Sequence, residues 1–199
     1  MNKLYYKAAK CAEQSFFEET AASYHKGGSA YFSSIEKKKG ASLRQSKSGF
    51  MLLDAILCEL GVDRSKVLLK RTESGRPYAE GSDFDFSISH SADVCACAVC
   101  FGASVGCDIQ ELVQAPEEKL VHNARYFMNE NELQALSTQN ACEYYTACWS
   151  KKEAYLKASG LGTDDDLTAL EISGAEFEQK RLVVDEKIYY LTICTKKYE

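Results

Sequence analysis

Proline is nearly missing from this chain of 199 residues: it occurs twice, which leaves little room for proline-rich linkers between folded units. Long apolar runs are missing too, since no stretch approaches the roughly 20 residues that a membrane-crossing helix needs. The opening residues, MNKLYYKAAKCAEQ, lack the apolar core and small-residue cleavage site of a secretory leader. The protein is therefore expected in the cytoplasm, with no membrane partner. A surplus of positive charge is also absent. The 24 Lys and Arg face 29 Asp and Glu, a net charge of −5, which argues against nonspecific nucleic-acid binding.

What is present fits a folded protein, with 45% hydrophobic and 27% charged residues. Nine cysteines are an odd number in a chain too long for a disulfide scaffold. Cys97 and Cys100 form the only CxxC, and no second pair or histidine cluster completes a zinc site. Together with Cys95 they read as buried strand residues.

Residues 11–26 and 44–60 read as helices; in the second, Phe50, Leu53, Ile56, Leu57 and Leu60 recur at helical spacing before Gly61. The lysines 37–39 between them, followed by Arg44 and Lys47, read as a solvated charge run. In DFDFSISHS (83–91), Phe84, Phe86 and Ile88 alternate with Asp85, Ser87 and Ser89, predicting a half-buried strand. The apolar run VCACAVCF (94–101) predicts a central strand covered on both faces. After a turn at Gly102–Ser104, Val105, Cys107 and Ile109 face one way, and Gly106, Asp108 and Gln110 the other.

Two helices are expected between Pro116 and Leu136, and a longer one over Ala141–Ser159 ended by Gly160 and Gly162. On the long helix Ala141, Tyr144, Cys148, Tyr155 and Ala158 mark a core face, so Glu153 and Lys157 should point away from the core beside Trp149. LTALEIS (167–173) and KIYYLTICT (187–195) read as strands. The chain thus divides near residue 103 into two halves that each mix helices and strands, an α+β class.

Taken singly, each polar residue has a structural explanation. Glu153 and Lys157 form a favourably ordered i,i+4 pair, worth about 0.3–0.5 kcal/mol on a surface. His90, in a Ser-His-Ser turn, can simply be a hydrogen-bonding residue, and Asp108 can open a strand end.

Their order says more. GRP (75–77), SISHS (87–91), VGCDIQE (105–111) and WSKKEAYLKASG (149–160) together resemble the 4′-phosphopantetheinyl transferase superfamily, in its single-chain, two-subdomain branch. The resemblance runs from about Arg44 to Gly162. It implies two pseudo-symmetric α/β subdomains, 1–103 and 104–199, each a small, mostly antiparallel sheet with packed helices. The active site would lie at their interface, in a monomer.

The resemblance implies an enzyme that moves the phosphopantetheine arm of coenzyme A onto a serine of an apo carrier protein, releasing 3′,5′-ADP. Magnesium or manganese would be held by Asp108 and Glu153, hard oxygen ligands of the kind these ions take beside phosphates. Glu153, Lys157 and His90 are the implied catalytic groups. Arg44, Arg76, Ser89, His90 and Lys157 are the implied coenzyme contacts. Many relatives carry a second acid two residues after the aspartate, where this chain has Gln110, which could reach the metal only by its amide oxygen or through water. Gln110 also supports the alternative of a non-catalytic coenzyme A- or carrier-binding protein of the same fold. A third alternative, a generic α+β interaction domain, predicts no coenzyme A-dependent stabilisation. Phe127 and Met128, in ARYFMNENELQAL (124–136), are candidates for meeting the carrier or for the core.

Overall fold

A computed structural model describes residues 3–13, 15–161, 166–170, 172 and 174–198. Six helices and eight strands lie among them: β1 (Lys3–Lys10), α1 (Phe17–Ala22), α2 (Ser29–Glu36), α3 (Gly40–Glu59), β2 (Leu68–Arg71), β3 (Pro77–Glu80), β4 (Phe84–Ser91), β5 (Val94–Phe101), β6 (Ser104–Glu111), α4 (Glu117–Ala124), α5 (Glu130–Leu136), α6 (Ala141–Ser159), β7 (Ala175–Val184) and β8 (Lys187–Lys196). Three antiparallel sheets result, ordered β1-β5-β4, β2-β3 and β6-β8-β7.

The apolar run of β5 is covered on both faces, as its composition predicts. Cys97 and Val99 join an aromatic core with Phe17, Phe32, Phe50 and Phe86 under α1–α3. Ala96, Ala98 and Cys100 face the other way, against Val105, Cys107, Ile109, Leu191 and Ile193 of the C-terminal sheet. The far side of that sheet is closed by α6, through Ala154, Tyr155 and Ala158. The layers therefore run helices, sheet, sheet, helix. All nine cysteines are free thiols.

Several expectations change. The helix expected over 11–26 is only α1, because β1 continues to Lys10 and the chain turns at Tyr24–His25, where the His25 amide donates to the Val67 carbonyl. The helix expected over 44–60 starts at Gly40, whose φ of +52° lets the chain enter it. Of LTALEIS, residues 167–170 and 172 form no strand; its partner in the sheet is instead β7, which pairs with β8 from Ala175↔Lys196 to Val184↔Lys187. Gly160 caps α6 in the left-handed conformation, with φ 68°, while Gly162 lies outside the described residues. Phe127 and Met128 are core residues, each 2% exposed, and neighbouring Tyr126 is the exposed one at 72%.

Candidate active site

β4 and β6 lie edge to edge and run the same way, although no backbone ladder joins them. Side chains of β4 take the ladder's place. Asp85, Ser89 and Ser91 accept the amides of Val105, Ile109 and Glu111 at 2.9, 3.2 and 2.9 Å. The polar residues that alternate along DFDFSISHS therefore face a seam rather than water, and Ser87 and Ser89 are buried.

Gly106 fixes what crosses that seam. A Cβ there would sit 1.8 Å from the Ala154 carbonyl oxygen and 2.6 Å from the Ala158 nitrogen. Only glycine lets α6 lie directly on β6, and that contact places Lys157 and Glu153 over Asp108, two residues along the strand. Both were expected to point away from the core. They are instead half-buried in the seam, their side chains 28% and 16% exposed, and Trp149 packs edge-on against Phe127.

Asp108 is 5% exposed. Its Oδ1 accepts from Lys157 Nζ at 2.7 Å and from Ser89 Oγ at 2.9 Å. The ammonium also reaches Ser89 Oγ at 3.2 Å and lies 4.0 Å from Glu153 Oε2. Asp108 Oδ2 is buried with no hydrogen-bond partner, an arrangement rare enough to call for an explanation. Burial pushes the Glu153 carboxyl above the usual carboxylate range; the Lys157 charge opposes this and the Asp108 charge adds to it.

Beside these groups opens a cleft of about 510 Å³, lined among others by Ser74, Arg76, Ile88, Glu153, Lys157 and Leu161. Arg76 is anchored there by Asp85 at 2.7 Å and the Val105 carbonyl at 3.2 Å, while its buried Nε has no partner. His90 is held below its ordinary pKa by desolvation, then by the nearby Lys38 and Lys157 charges, so its ring is neutral near pH 7. Lys38 itself is lowered by desolvation and by Arg71. Lys38 and Lys157 thus bring positive charge to the histidine, and the charge run at 37–39 contributes one of the two.

Two expected contacts are not drawn in. Arg44 bonds Asp93 at 2.8 Å, beyond the end of β4, and does not line the cleft. Gln110 shares Asp108's side of β6 but donates only a long 3.4 Å bond to the Glu111 carbonyl. Glu111 pairs instead with Lys187 at 3.1 Å. No group of three His, Cys, Asp or Glu gathers at one point among the described residues. Asp108 and Glu153 nevertheless fit a hard cation that takes one or two carboxylates and fills its shell with water and phosphate oxygens; the orphaned Oδ2 is the acceptor such an ion would use.

A family model, the 4′-phosphopantetheinyl transferase superfamily, matches residues 104–197, from β6 through β8. The chain is 27% identical over 191 residues to the 4′-phosphopantetheinyl transferase psf-1 of Bacillus pumilus, covering 83% of this chain and 80% of that one. From β6 through β8 the chain is thus similar to the 4′-phosphopantetheinyl transferase superfamily. It is also 30% identical over 122 residues to the 4′-phosphopantetheinyl transferase gsp of Aneurinibacillus migulanus, covering 59% of this chain and 49% of that one. To the L-aminoadipate-semialdehyde dehydrogenase-phosphopantetheinyl transferase of Xenopus laevis it is 23% identical over 163 residues, covering 73% and 54%. The chain thus spans about half the length of two of these three relatives. The α+β fold accords with that family. No helix among the described residues is long and apolar enough to cross a membrane.

Lys152 was not singled out in the sequence. It is 1% exposed, and its ammonium bonds the Phe127 and Leu167 carbonyls at 2.5 and 2.9 Å and Glu132 at 2.8 Å. The signal was its spacing: Lys152 sits four residues from both Cys148 and Leu156, on the stripe that covers α4 and α5.

Proposed function

We propose that this protein transfers the 4′-phosphopantetheine arm of coenzyme A to a serine of an apo carrier protein, with release of 3′,5′-ADP. The observation that carries the reading is the meeting of Asp108, Glu153 and Lys157 from two separate elements beside an open cleft. Residues 1–103 and 104–199 would act as two subdomains with the site between them.

In the transfer, the carrier serine Oγ forms a bond to the pantetheine-side phosphorus, and the bond from that phosphorus to the bridging oxygen breaks. The bridging oxygen leaves with 3′,5′-ADP. Positioning and neutralisation of phosphate charge supply most of such catalysis. Glu153 is the group to receive the serine proton, and burial, which raises its proton affinity, favours that role. Lys157 neutralises the pyrophosphate and can return a proton to the leaving oxygen. Ser89 keeps Asp108 and Lys157 in register. Neutral His90 donates one ring N–H to a coenzyme phosphate, and the Arg76 guanidinium, which lines the cleft, offsets phosphate charge. Asp108 and Glu153 would hold magnesium or manganese, with Gln110 through water; the ion would offset charge on the phosphate oxygens.

The test is direct. Protein incubated with magnesium, coenzyme A and a panel of apo carriers should add one phosphopantetheine mass to a carrier serine, read by mass spectrometry. Coenzyme A binding without mass gain on any carrier would favour a non-catalytic binder, the reading that Gln110 supports.

A further inference from the structure

We propose that Lys157 is the resident cation of this site: in coenzyme-free protein its ammonium fills the gap between Asp108 and Glu153, so a divalent ion binds weakly until a pyrophosphate draws the lysine away. The proposal rests on the transferase reading and concerns the order in which that site fills.

The geometry is that of an occupied cation site. Lys157 Nζ is 2.7 Å from Asp108 Oδ1 and 4.0 Å from Glu153 Oε2. Both carboxylates are largely withdrawn from water, their side chains 7% and 16% exposed. Charges so placed require a partner. Lysine is suited to a temporary one, since its compact ammonium rides on a flexible four-carbon stem. The Asp108 carboxylate is used on one side only. Oδ1 has two donors, whereas Oδ2 has none. Ser89 Oγ is held by the Ile109 amide at 3.2 Å, so it can go on donating to Asp108 when the ammonium departs.

Formal charge decides the sequence of events. Two carboxylates and one ammonium leave the pocket with a single net negative charge. A divalent ion added beside the lysine would make it net positive in a poorly hydrated seam, where repulsion is weakly screened. A pyrophosphate diester brings two negative charges and restores the balance. It also gives the ammonium a new partner in the adjoining cleft, which Lys157 itself lines. Coenzyme and metal therefore bind with positive coupling, and the coupling is reciprocal.

Manganese binding, counted from the paramagnetic resonance signal of the free ion, tests this without turnover. Without coenzyme A, Lys157→Gln should bind Mn2+ about tenfold or more tighter than wild type, a coupling of ordinary allosteric size. Lys157→Arg should stay weak, and Asp108→Asn should lose the site. Coenzyme A should tighten Mn2+ binding far more in wild type than in Lys157→Gln. Wild type that binds Mn2+ as tightly without coenzyme A as with it overturns the proposal. So does a Lys157→Gln protein that binds the ion more weakly, which would make the lysine a mere support for the carboxylates.

If Lys157→Gln fails to fold, the wild type still answers. The Lys157 ammonium resonance should be unmoved by Mg2+ alone and shift with coenzyme A; a shift with Mg2+ alone overturns the idea. Phosphopantetheine transfer by the same wild-type sample keeps the two readings apart. Active protein with tight coenzyme-free Mn2+ binding removes the lysine proposal and leaves the transferase. Absence of Mn2+ binding in every form removes the ion site and this proposal, and the transfer assay alone then judges the function.

Discussion

Glu153 has a measurable thermodynamic signature. Burial raises its folded-state pKa, with Lys157 opposing and Asp108 reinforcing. A carboxyl whose pKa is higher folded than unfolded binds more protons in the folded state. Stability therefore falls as pH rises through the window above the ordinary value of 4.5, and the charged group remains a constant cost above it. Glu153→Gln removes that cost. Its melting temperature should exceed that of wild type by a few degrees at pH 7.5, since about 1 kcal/mol moves Tm by about 2–4 °C in a chain of this size. The advantage should vanish near pH 4. Calorimetry across pH checks this, and a lower Tm at pH 7.5 would mean that the Lys157 attraction outweighs burial. At this scale Asp108, Glu153, Lys157 and Ser89 were singled out by resemblance to a motif that fixes residue type at each place, and the structure brings the four together. Lys152 was not, since a Lys-Lys pair on a helix usually lies in solvent and only its spacing hinted otherwise. Arg44 resembled a coenzyme contact in sequence, but the Asp93 carboxylate in the β4–β5 turn takes its guanidinium.

Between elements, the decisive contact is α6 on β6 at Gly106. A methyl there cannot be absorbed by a side chain swinging aside, because its nearest neighbours are the backbone atoms of Ala154 and Ala158. Gly106→Ala should lower stability by about 1–3 kcal/mol, the usual range for overpacking. Phosphopantetheine transfer should fall more than the loss of folded protein explains, because Asp108 and Lys157 separate as the helix lifts. Denaturant unfolding beside an assay per folded molecule checks both; unchanged transfer would show that the helix is free to slide without disturbing the site. The long elements were readable from pattern, β5 by its unbroken apolar run and α3 by its 3–4 spacing. Short or polar ones were not. β7 reads AEFEQKRLVV, where charged residues mask the alternation because one face remains in solvent. The rotation of α6 was misjudged for a related reason: Tyr144 and Cys148, used with Tyr155 and Ala158 to set its core face, pack against α4 and α5, while small Ala154 and Ala158 make the closest contact with β6.

For the whole molecule, the question is how two small sheets avoid open edges, which would otherwise invite pairing with other chains. Both junctions are closed by side chains. At one, Tyr6 of β1 donates to Glu178 of β7 at 2.5 Å, and Lys180 donates to the same tyrosine. At the other, the β4 residues Asp85, Ser89 and Ser91 accept the β6 amides, and the candidate site sits on this second junction. The turn between β5 and β6 at Gly102–Ser104 could be read in the sequence. How the two sheets join could not, because an alternating polar face reads equally as solvent-facing or as a seam. Asp85 is the strongest stitch, accepting from both Arg76 and the Val105 amide through Oδ2 at 2.7 and 2.9 Å. Asp85→Ala would strand both donors, at a cost of about 2–3 kcal/mol, or roughly 5–10 °C in Tm. The Val105 amide should then exchange with solvent much faster, while amides in the middle of β5, paired on both sides within their own sheet, keep more of their protection. Hydrogen exchange resolved by residue separates this from general weakening. Equal loss of protection at Val105 and in β5 would mean that the two sheets open as one unit and that the seam is no weaker than the cores it joins.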